Sequence, residues 1–188
     1  MRDIEKQKNV EGAIFLVLFC LTIPMANWMI GHVGTVCAVN GPCLLPVAPG
    51  IMAPSGVLMI GIALVLRDLV QRRLGIEFGI AAIVVGAAIS AVLAPRALVL
   101  ASAAAFLLSE LADFAVYTPL ARRRLVLAVL ASSVLGLVVD SVVFLWLAFG
   151  SLEFLGGQIV GKLGMVLLAT PFVAYLRRRD ERLGLKPA

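Results

Sequence analysis

The run ALVLASAAAFLLSELADFAVYTPL, residues 97–120, is apolar except for a short polar group in its second half. It exceeds the length of about 20 apolar residues that a helix needs to cross a bilayer. On a helix, Glu110 and Asp113 are spaced i, i+3, and Tyr117 follows Asp113 at i+4, so the three share one face. Carboxylates at membrane depth are costly and by default indicate a functional site.

The composition of the whole chain places it among integral membrane proteins. Of its 188 residues, 62% are hydrophobic and only 14% are charged, whereas soluble domains are about 45–50% apolar and about a quarter charged. The core of a soluble protein of this length cannot bury so many hydrophobic residues, which excludes a soluble globular domain. The net charge of +5 does not indicate nucleic acid, because the basic residues cluster at the ends of apolar runs.

The apolar runs predict an all-α bundle of six transmembrane helices that forms a single polytopic domain. The first run is too long for the apolar core of a signal peptide, so we expect it to be retained as a helix. Between the first two spans, residues 32–54 are rich in proline and glycine and predict a long non-helical connection folded back over the bundle. The predicted spans are residues 12–31, 55–72, 75–94, 97–120, 125–149 and 154–176.

The distribution of basic residues predicts that both termini are cytoplasmic. The tails and the loops after the second and fourth spans contain nearly all lysines and arginines, and the opposite loops contain only Arg96. Basic residues concentrate on the cytoplasmic side of membrane proteins. The chain is therefore predicted to be a multi-pass protein of the cell membrane, and most of its arginines are expected to set topology and to contact lipid head groups.

Four ionisable residues are then predicted at membrane depth, namely Glu110, Asp113, Asp140 and Lys162. Lys162 and Asp140 fall at similar depth on the last two spans and can form an ion pair. Glu110 and Asp113 lie nearer the cytoplasm, where the nearest candidate cation is Arg67 and no clear partner is evident. An excess of buried negative charge is relieved by protonation, by a bound cation or by a ligand that donates hydrogen bonds.

Other polar residues each leave two interpretations open. Asn27 is either a cap at the outer end of the first span or a residue that faces a binding cavity. For His32, an interfacial position is favoured over a role in proton transfer. Cys37 and Cys43 flank a turn-like Asn-Gly-Pro sequence, where a disulfide is possible on the oxidising side of the membrane.

Sequence motifs give little support to an enzyme. We find no His-Glu-x-x-His pair, no Gly-x-Ser-x-Gly elbow and no phosphate-binding loop. Glu110-x-x-Asp113 alone is a weak metal signal, because hard cations draw on more oxygen ligands. We therefore predict no catalytic residue, no metal site and no cofactor.

Four groups of motifs follow one another along the chain. They are APSG (53–56) followed by RDLVQRRLG (67–75); SELAD (109–113) through YTPL (117–120); Asp140-Ser141 before Phe144, Trp146 and Phe149; and QIVGK (158–162) with Pro171 and Tyr175. In their order and spacing these motifs resemble the queuosine precursor transporter family, which is also catalogued as a putative vitamin uptake family. The resemblance covers about residues 12–180. It departs from the family at residues 71–73, where arginine replaces a usual acidic residue, and in the two-cysteine loop, which is not typical of the family.

The resemblance implies import of a deazaguanine precursor of queuosine, in the cyano or aminomethyl form, for tRNA modification. A carboxylate can accept the adjacent ring N–H and amino donors of such a base as a pair, a role that we expect of Glu110 or Asp113. Lys162 or Gln158 can donate to the ring carbonyl, and Asn27 can close the site. The predicted substrate-binding set is Glu110, Asp113, Asp140, Gln158, Lys162 and Asn27, with Trp28, Tyr117 or Phe144 as candidates for stacking on the base.

Two alternatives to a self-sufficient transporter remain open at this point. The chain has the size and span number of a substrate-binding membrane subunit that works with ATP-driven partner subunits. It can also be a scaffold in which the four buried charges only hold helices together. If the chain transports alone, protonation of Glu110 or Asp113 is a candidate coupling step.

Overall fold

The structure, a computed structural model, describes residues 2–37, 42–94 and 98–185. These residues form six helices and a small sheet of three strands. The elements are α1 (Arg2–His32), β1 (Val36–Cys37), β2 (Cys43–Ala48), β3 (Ile51–Pro54), α2 (Val57–Leu74), α3 (Ile76–Leu93), α4 (Val99–Ala121), α5 (Leu125–Phe149) and α6 (Leu155–Leu183). The helices follow the order of the six predicted spans.

Five of these helices are long and apolar enough to cross a membrane, namely α1, α3, α4, α5 and α6. Their outward faces carry large apolar side chains such as Val92, Leu100 and Leu168, which are 81%, 75% and 73% exposed. An exposed apolar surface of this extent fits contact with lipid. The chain is thus a multi-pass, largely helical membrane protein.

Helix α2 is not among these five candidate spans, and buried charged residues occupy its second half. Arg67, Asp68, Arg72 and Arg73 are all at most 7% exposed. These side chains are too polar to face lipid, and they face the other helices instead. The helix that corresponds to the second predicted span is therefore held by internal ion pairs as well as by apolar packing.

Several helices extend beyond the predicted apolar runs. α1 begins ten residues before residue 12, at Arg2, and α6 continues through Arg177–Arg179 to Leu183. Pro119 and Pro171 lie inside α4 and α6 rather than at their ends. The charged segments that the sequence placed in tails are thus helical and can contact neighbouring helices.

The connection between α1 and α2 is a three-stranded antiparallel sheet in the order β1-β2-β3, which the all-α prediction missed. A disulfide joins Cys37 to Cys43, as the sequence allowed. The turn between β2 and β3 contains Gly50 in the left-handed region (φ 73°), a conformation open to glycine at little cost. The sheet packs against α6 and α1, so this connection caps one end of the bundle.

Close helix packing depends on small residues. On α3 and directly after it, small residues recur every four positions and are all buried, namely Ala82, Gly86, Ser90 and Ala94. On α2, Gly61 allows the closest approach to α6, because a Cβ there would lie 2.6 Å from the carbonyl oxygen of Lys162. This contact fixes the backbone that carries Lys162.

Replacement of Gly61 by alanine should therefore destabilise the protein by about 1–3 kcal/mol, since a methyl group would collide with backbone that cannot rotate away. Thermal unfolding of the purified protein in detergent measures the effect. Gly164→Ala is the matched control, because nothing lies within 4 Å of a Cβ at that position on α6. Equal melting temperatures for the two variants would contradict the close α2–α6 contact.

Candidate functional site

Four of the six predicted site residues line one cavity of about 80 Å³, to which all six helices contribute. We call it the sheet-side cavity, because Pro54 at the end of β3 also lines it. The predicted residues in its wall are Asn27, Asp140, Gln158 and Lys162. The other wall residues include Ile23, Ser90, Ser102, Phe106 and Phe144.

Lys162 is the centre of the polar wall of this cavity. Its ammonium group forms the predicted ion pair with Asp140 and also donates to the side-chain oxygen of Gln158 and, at 2.8 Å, to Ser141 Oγ. Lys162 and Gln158 are 1% and 2% exposed. A buried ammonium with three oxygen acceptors is fully satisfied, so its position is fixed before any ligand arrives.

Asn27 faces the same cavity from α1. Its amide nitrogen donates to the carbonyl oxygen of Ile23 at 2.9 Å, which leaves the amide oxygen as an acceptor. Of the three aromatic candidates for stacking, only Phe144 lines this cavity. Trp28 is 53% exposed and stacks on His32, which fits the interfacial position expected for that histidine.

Glu110 and Asp113 lie outside this cavity and are both held by Arg67. The Nε of Arg67 donates to Glu110 Oε2 at 2.9 Å, and its Nη2 bonds Asp113 Oδ1. All three side chains are at most 2% exposed. The expectation that this carboxylate pair lacks a clear partner in the chain is therefore wrong. Arg67 is a buried ion-pair partner and not a lipid contact.

The same guanidinium contacts further residues of α2 and α4. Arg67 Nη1 lies 3.0 Å from Asp68 Oδ1 and donates to Gln71 Oε1 at 3.2 Å. Its central carbon lies 5.7 Å from the ring centres of Phe114 and Tyr117. We define the Arg67 cluster as Arg67, Asp68, Glu110 and Asp113.

Asp68 is the member of this cluster that sequence reasoning missed. It follows Arg67 directly, in the charged stretch at the end of the second predicted span. In the structure it is 0% exposed and accepts a hydrogen bond from Ser132 of α5 at 3.1 Å. Helical spacing could have indicated that Asp68 is buried, because it lies four residues after the apolar Leu64 and therefore on the same face of the helix.

A second ion-pair network joins the arginine-rich ends of α2 and α6 to Glu11 of α1. Both Arg72 and Arg73 bond Asp180, which is 1% exposed. Glu11 pairs with Arg73 at 2.9 Å and with Arg179 at 2.6 Å. Arg72 and Arg73 were expected to contact lipid head groups, but they hold three helices together instead.

A second cavity, of about 240 Å³, lies at the arginine-rich end between α2, α3 and α4. We call it the arginine-side cavity; its wall includes Gln71, Arg72, Tyr117, Thr118 and Arg122. Gln71 accepts from Arg67 and donates to Thr118 Oγ1 at 3.0 Å. Gln71 thus connects this cavity to the Arg67 cluster.

Metal-binding geometry is absent from the parts of the chain that the structure describes. No group of three or more histidine, cysteine or acidic side chains there is arranged to hold a metal ion.

Comparison with protein families gives one match. The model of the family described as "Putative vitamin uptake transporter" matches residues 90–176, which include α4, α5 and most of α6. Over this region, a little under half of the chain, the protein is similar to that family. Searches of curated proteins and of solved structures found no match. The matched region carries Glu110, Asp113, Asp140, Gln158 and Lys162, so it contains residues of both polar groups.

Removal of the Arg67 charge should destabilise the protein by about 3–5 kcal/mol, because three buried carboxylates would lose their shared cation. Arg67→Gln tests this by thermal unfolding in detergent. Arg177→Gln is the control, since its ion pair with Glu181 is 43% and 59% exposed, and such pairs contribute about 1 kcal/mol or less. A similar small loss in both variants would contradict the buried cluster.

Proposed function

We propose that the protein is a membrane transporter that imports a flat, purine-like solute, a 7-deazaguanine precursor of queuosine. The observation that carries this proposal is the buried polar wall of the sheet-side cavity, inside the helix bundle of a chain whose residues 90–176 match an uptake family. Small-molecule sites are largely apolar with a few fixed polar groups. This cavity has that composition.

The polar wall complements the hydrogen-bonding edge of a deazaguanine. A carboxylate accepts about four hydrogen bonds, so Asp140 can bind Lys162 and still accept from the ring N–H and the amino group. Gln158 donates from its side-chain nitrogen to the ring carbonyl oxygen, since the three N–H groups of Lys162 already have acceptors, and Asn27 accepts from a remaining donor. We assign the acceptor role to Asp140, because Arg67 already occupies Glu110 and Asp113.

The aromatic wall of the cavity complements the face of the base. Phe144 lies beside the polar wall and packs edge-on against Phe149, with ring centres 6.0 Å apart. Stacking of a base on an aromatic side chain contributes about 1–3 kcal/mol. An aminomethyl substituent is also cationic, which suits a cavity that contains the Asp140 carboxylate.

We also propose the orientation and the span number. The N-terminal end of α1 and the arginine-rich ends of α2 and α6 are cytoplasmic, and the disulfide-linked sheet is extracytoplasmic, with α2 crossing as the sixth span. The sheet-side cavity then lies toward the outside, where an uptake substrate enters. Labelling of reduced Cys37 and Cys43 in intact cells with an impermeant thiol reagent checks this orientation, and labelling only in inverted vesicles would contradict it.

Cells that lack deazaguanine synthesis should regain queuosine-modified tRNA when they express this chain and receive the cyano-deazaguanine. The purified protein should also gain thermal stability with this compound and not with an unrelated vitamin. Gln158→Leu should weaken binding about tenfold, because it removes one hydrogen-bonding group that faces a buried ligand.

Gln7→Leu is the control, since Gln7 is exposed at the other end of the molecule and bonds only Glu11. Failure to restore modified tRNA, together with no stabilisation by either deazaguanine, would overturn the proposal. Uptake in cells but not by the purified chain in liposomes would instead identify a subunit that needs an ATP-driven partner.

A further inference from the structure

The Arg67 cluster contains more negative than positive charge. Three carboxylates, from Asp68, Glu110 and Asp113, face one guanidinium, and all four side chains are at most 2% exposed. With every group ionised the cluster would carry two uncompensated negative charges. Such a charge in a dry interior is strongly unfavourable unless another positive species binds.

The neighbouring cations are committed elsewhere. Lys162 of α6 pairs with Asp140 of α5, and Arg72 of α2 pairs with Asp180 of α6. Arg73 of α2 bonds the same Asp180. None of the three lies in the Arg67 cluster, so its excess charge is balanced by none of them.

Asp68 and Asp113 come together on the side of the cluster that faces α5. Their carboxyl groups bind two nitrogens of the same guanidinium, Arg67 Nη1 and Nη2, and Ser132 donates to Asp68. Two carboxylates held side by side in this way repel, and a hydrogen bond between them needs one proton. A proton held between the two groups removes one of the two excess negative charges of the cluster.

Polar atoms around this contact have unused hydrogen-bonding capacity. Within the described residues, Asp68 Oδ1, Asp113 Oδ2, Ser133 Oγ and the Tyr117 hydroxyl are buried and make no hydrogen bond. Asp113 Oδ2 points toward Gly136 of α5, where a Cβ would lie 3.4 Å from it. A proton on one of the two carboxyl groups supplies a donor that the unpaired oxygen of the other can accept.

The cluster lies between the two cavities. Phe106 lines the sheet-side cavity, and Glu110 follows it by one helical turn on α4. On the other side, Tyr117 and Gln71 both contact Arg67 and line the arginine-side cavity. The cluster therefore lies between the walls of the two cavities.

We infer that Asp68 and Asp113 share one exchangeable proton and form the proton-binding site of the protein. The role of this site in driving uptake rests on the proposed function. The binding of a proton at the site rests on the geometry alone. The groups that face it are Arg67, Glu110 and Tyr117, with Asp140 and Lys162 beyond Glu110 and with Arg72 beyond Tyr117.

Release of the proton changes the contact between helices. The O–H bond of the protonated carboxyl breaks, its electron pair stays on the carboxylate, and the proton passes to solvent in the arginine-side cavity. Asp68 of α2 and Asp113 of α4 then repel each other across the interface that separates the cavities. Reprotonation from the sheet-side cavity restores the contact, which gives each transport cycle one proton.

Infrared spectroscopy of the full chain in lipid nanodiscs tests the site without any substrate. We expect a C=O stretch band of a protonated carboxyl that shifts in D₂O and disappears as pH rises. Asp68→Asn and Asp113→Asn should each abolish or displace this band, since asparagine keeps the shape but cannot share a proton. Glu181→Gln is the control, because this exposed carboxyl lies outside the cluster.

A band that is absent at every pH, or unchanged in both asparagine variants, would overturn the inference. Loss of the band on addition of Na⁺ at constant pH would also overturn it, because the site would then hold a metal cation. These infrared measurements need no ligand. They therefore test the proton site even if the protein does not bind a deazaguanine.

Transport in proteoliposomes tests the coupling separately. Uptake of cyano-deazaguanine should rise at least tenfold with an inward proton gradient, and Asp68→Asn should lose this stimulation while Glu181→Gln keeps it. Uptake that ignores the gradient would overturn coupling through this site, even where the proposed function holds. Absence of uptake in every liposome, with a normal infrared band, would count against the proposed function and support the site.

Discussion

The contact between one guanidinium and three carboxylates, centred on Arg67, is the interaction on which the rest of the structure depends. Helix α2 brings Arg67 and Asp68 into the bundle, and α4 brings Glu110 and Asp113. Neither helix can place these charges against lipid, so each needs the other to bury them. The polar faces therefore fix which helices meet, whereas apolar packing alone would allow several arrangements.

The same contact divides the interior into two compartments. Asp140, Gln158 and Lys162 line the sheet-side cavity, and Gln71 and Tyr117 line the arginine-side cavity. The network of Arg72, Arg73 and Asp180 holds the arginine-rich end together. In our account the first cavity receives the solute, and both ion-pair groups must loosen before the solute leaves toward the cytoplasm.

The helical class, the membrane location and the ion pair between Lys162 and Asp140 could be predicted from the sequence, because each follows from run length, hydropathy or depth along a helix. The ion pair between Glu110 and Arg67 could not be predicted from the sequence. Arg67 stands near the end of an apolar run, where arginines commonly meet lipid head groups, and only the packing of α2 against α4 turns it inward. The sheet was missed because its prolines and glycines are typical of turns, and two of its prolines lie within strands.

The central claim is that Arg67 and Asp113 bind each other directly inside the bundle. A double-mutant cycle with Arg67→Met, Asp113→Leu and the pair, followed by reversible unfolding in mixed micelles, measures this interaction. Our account predicts a coupling energy of about 1–3 kcal/mol, with the double variant more stable than the Arg67→Met single variant. Additivity within about 0.5 kcal/mol would contradict the contact.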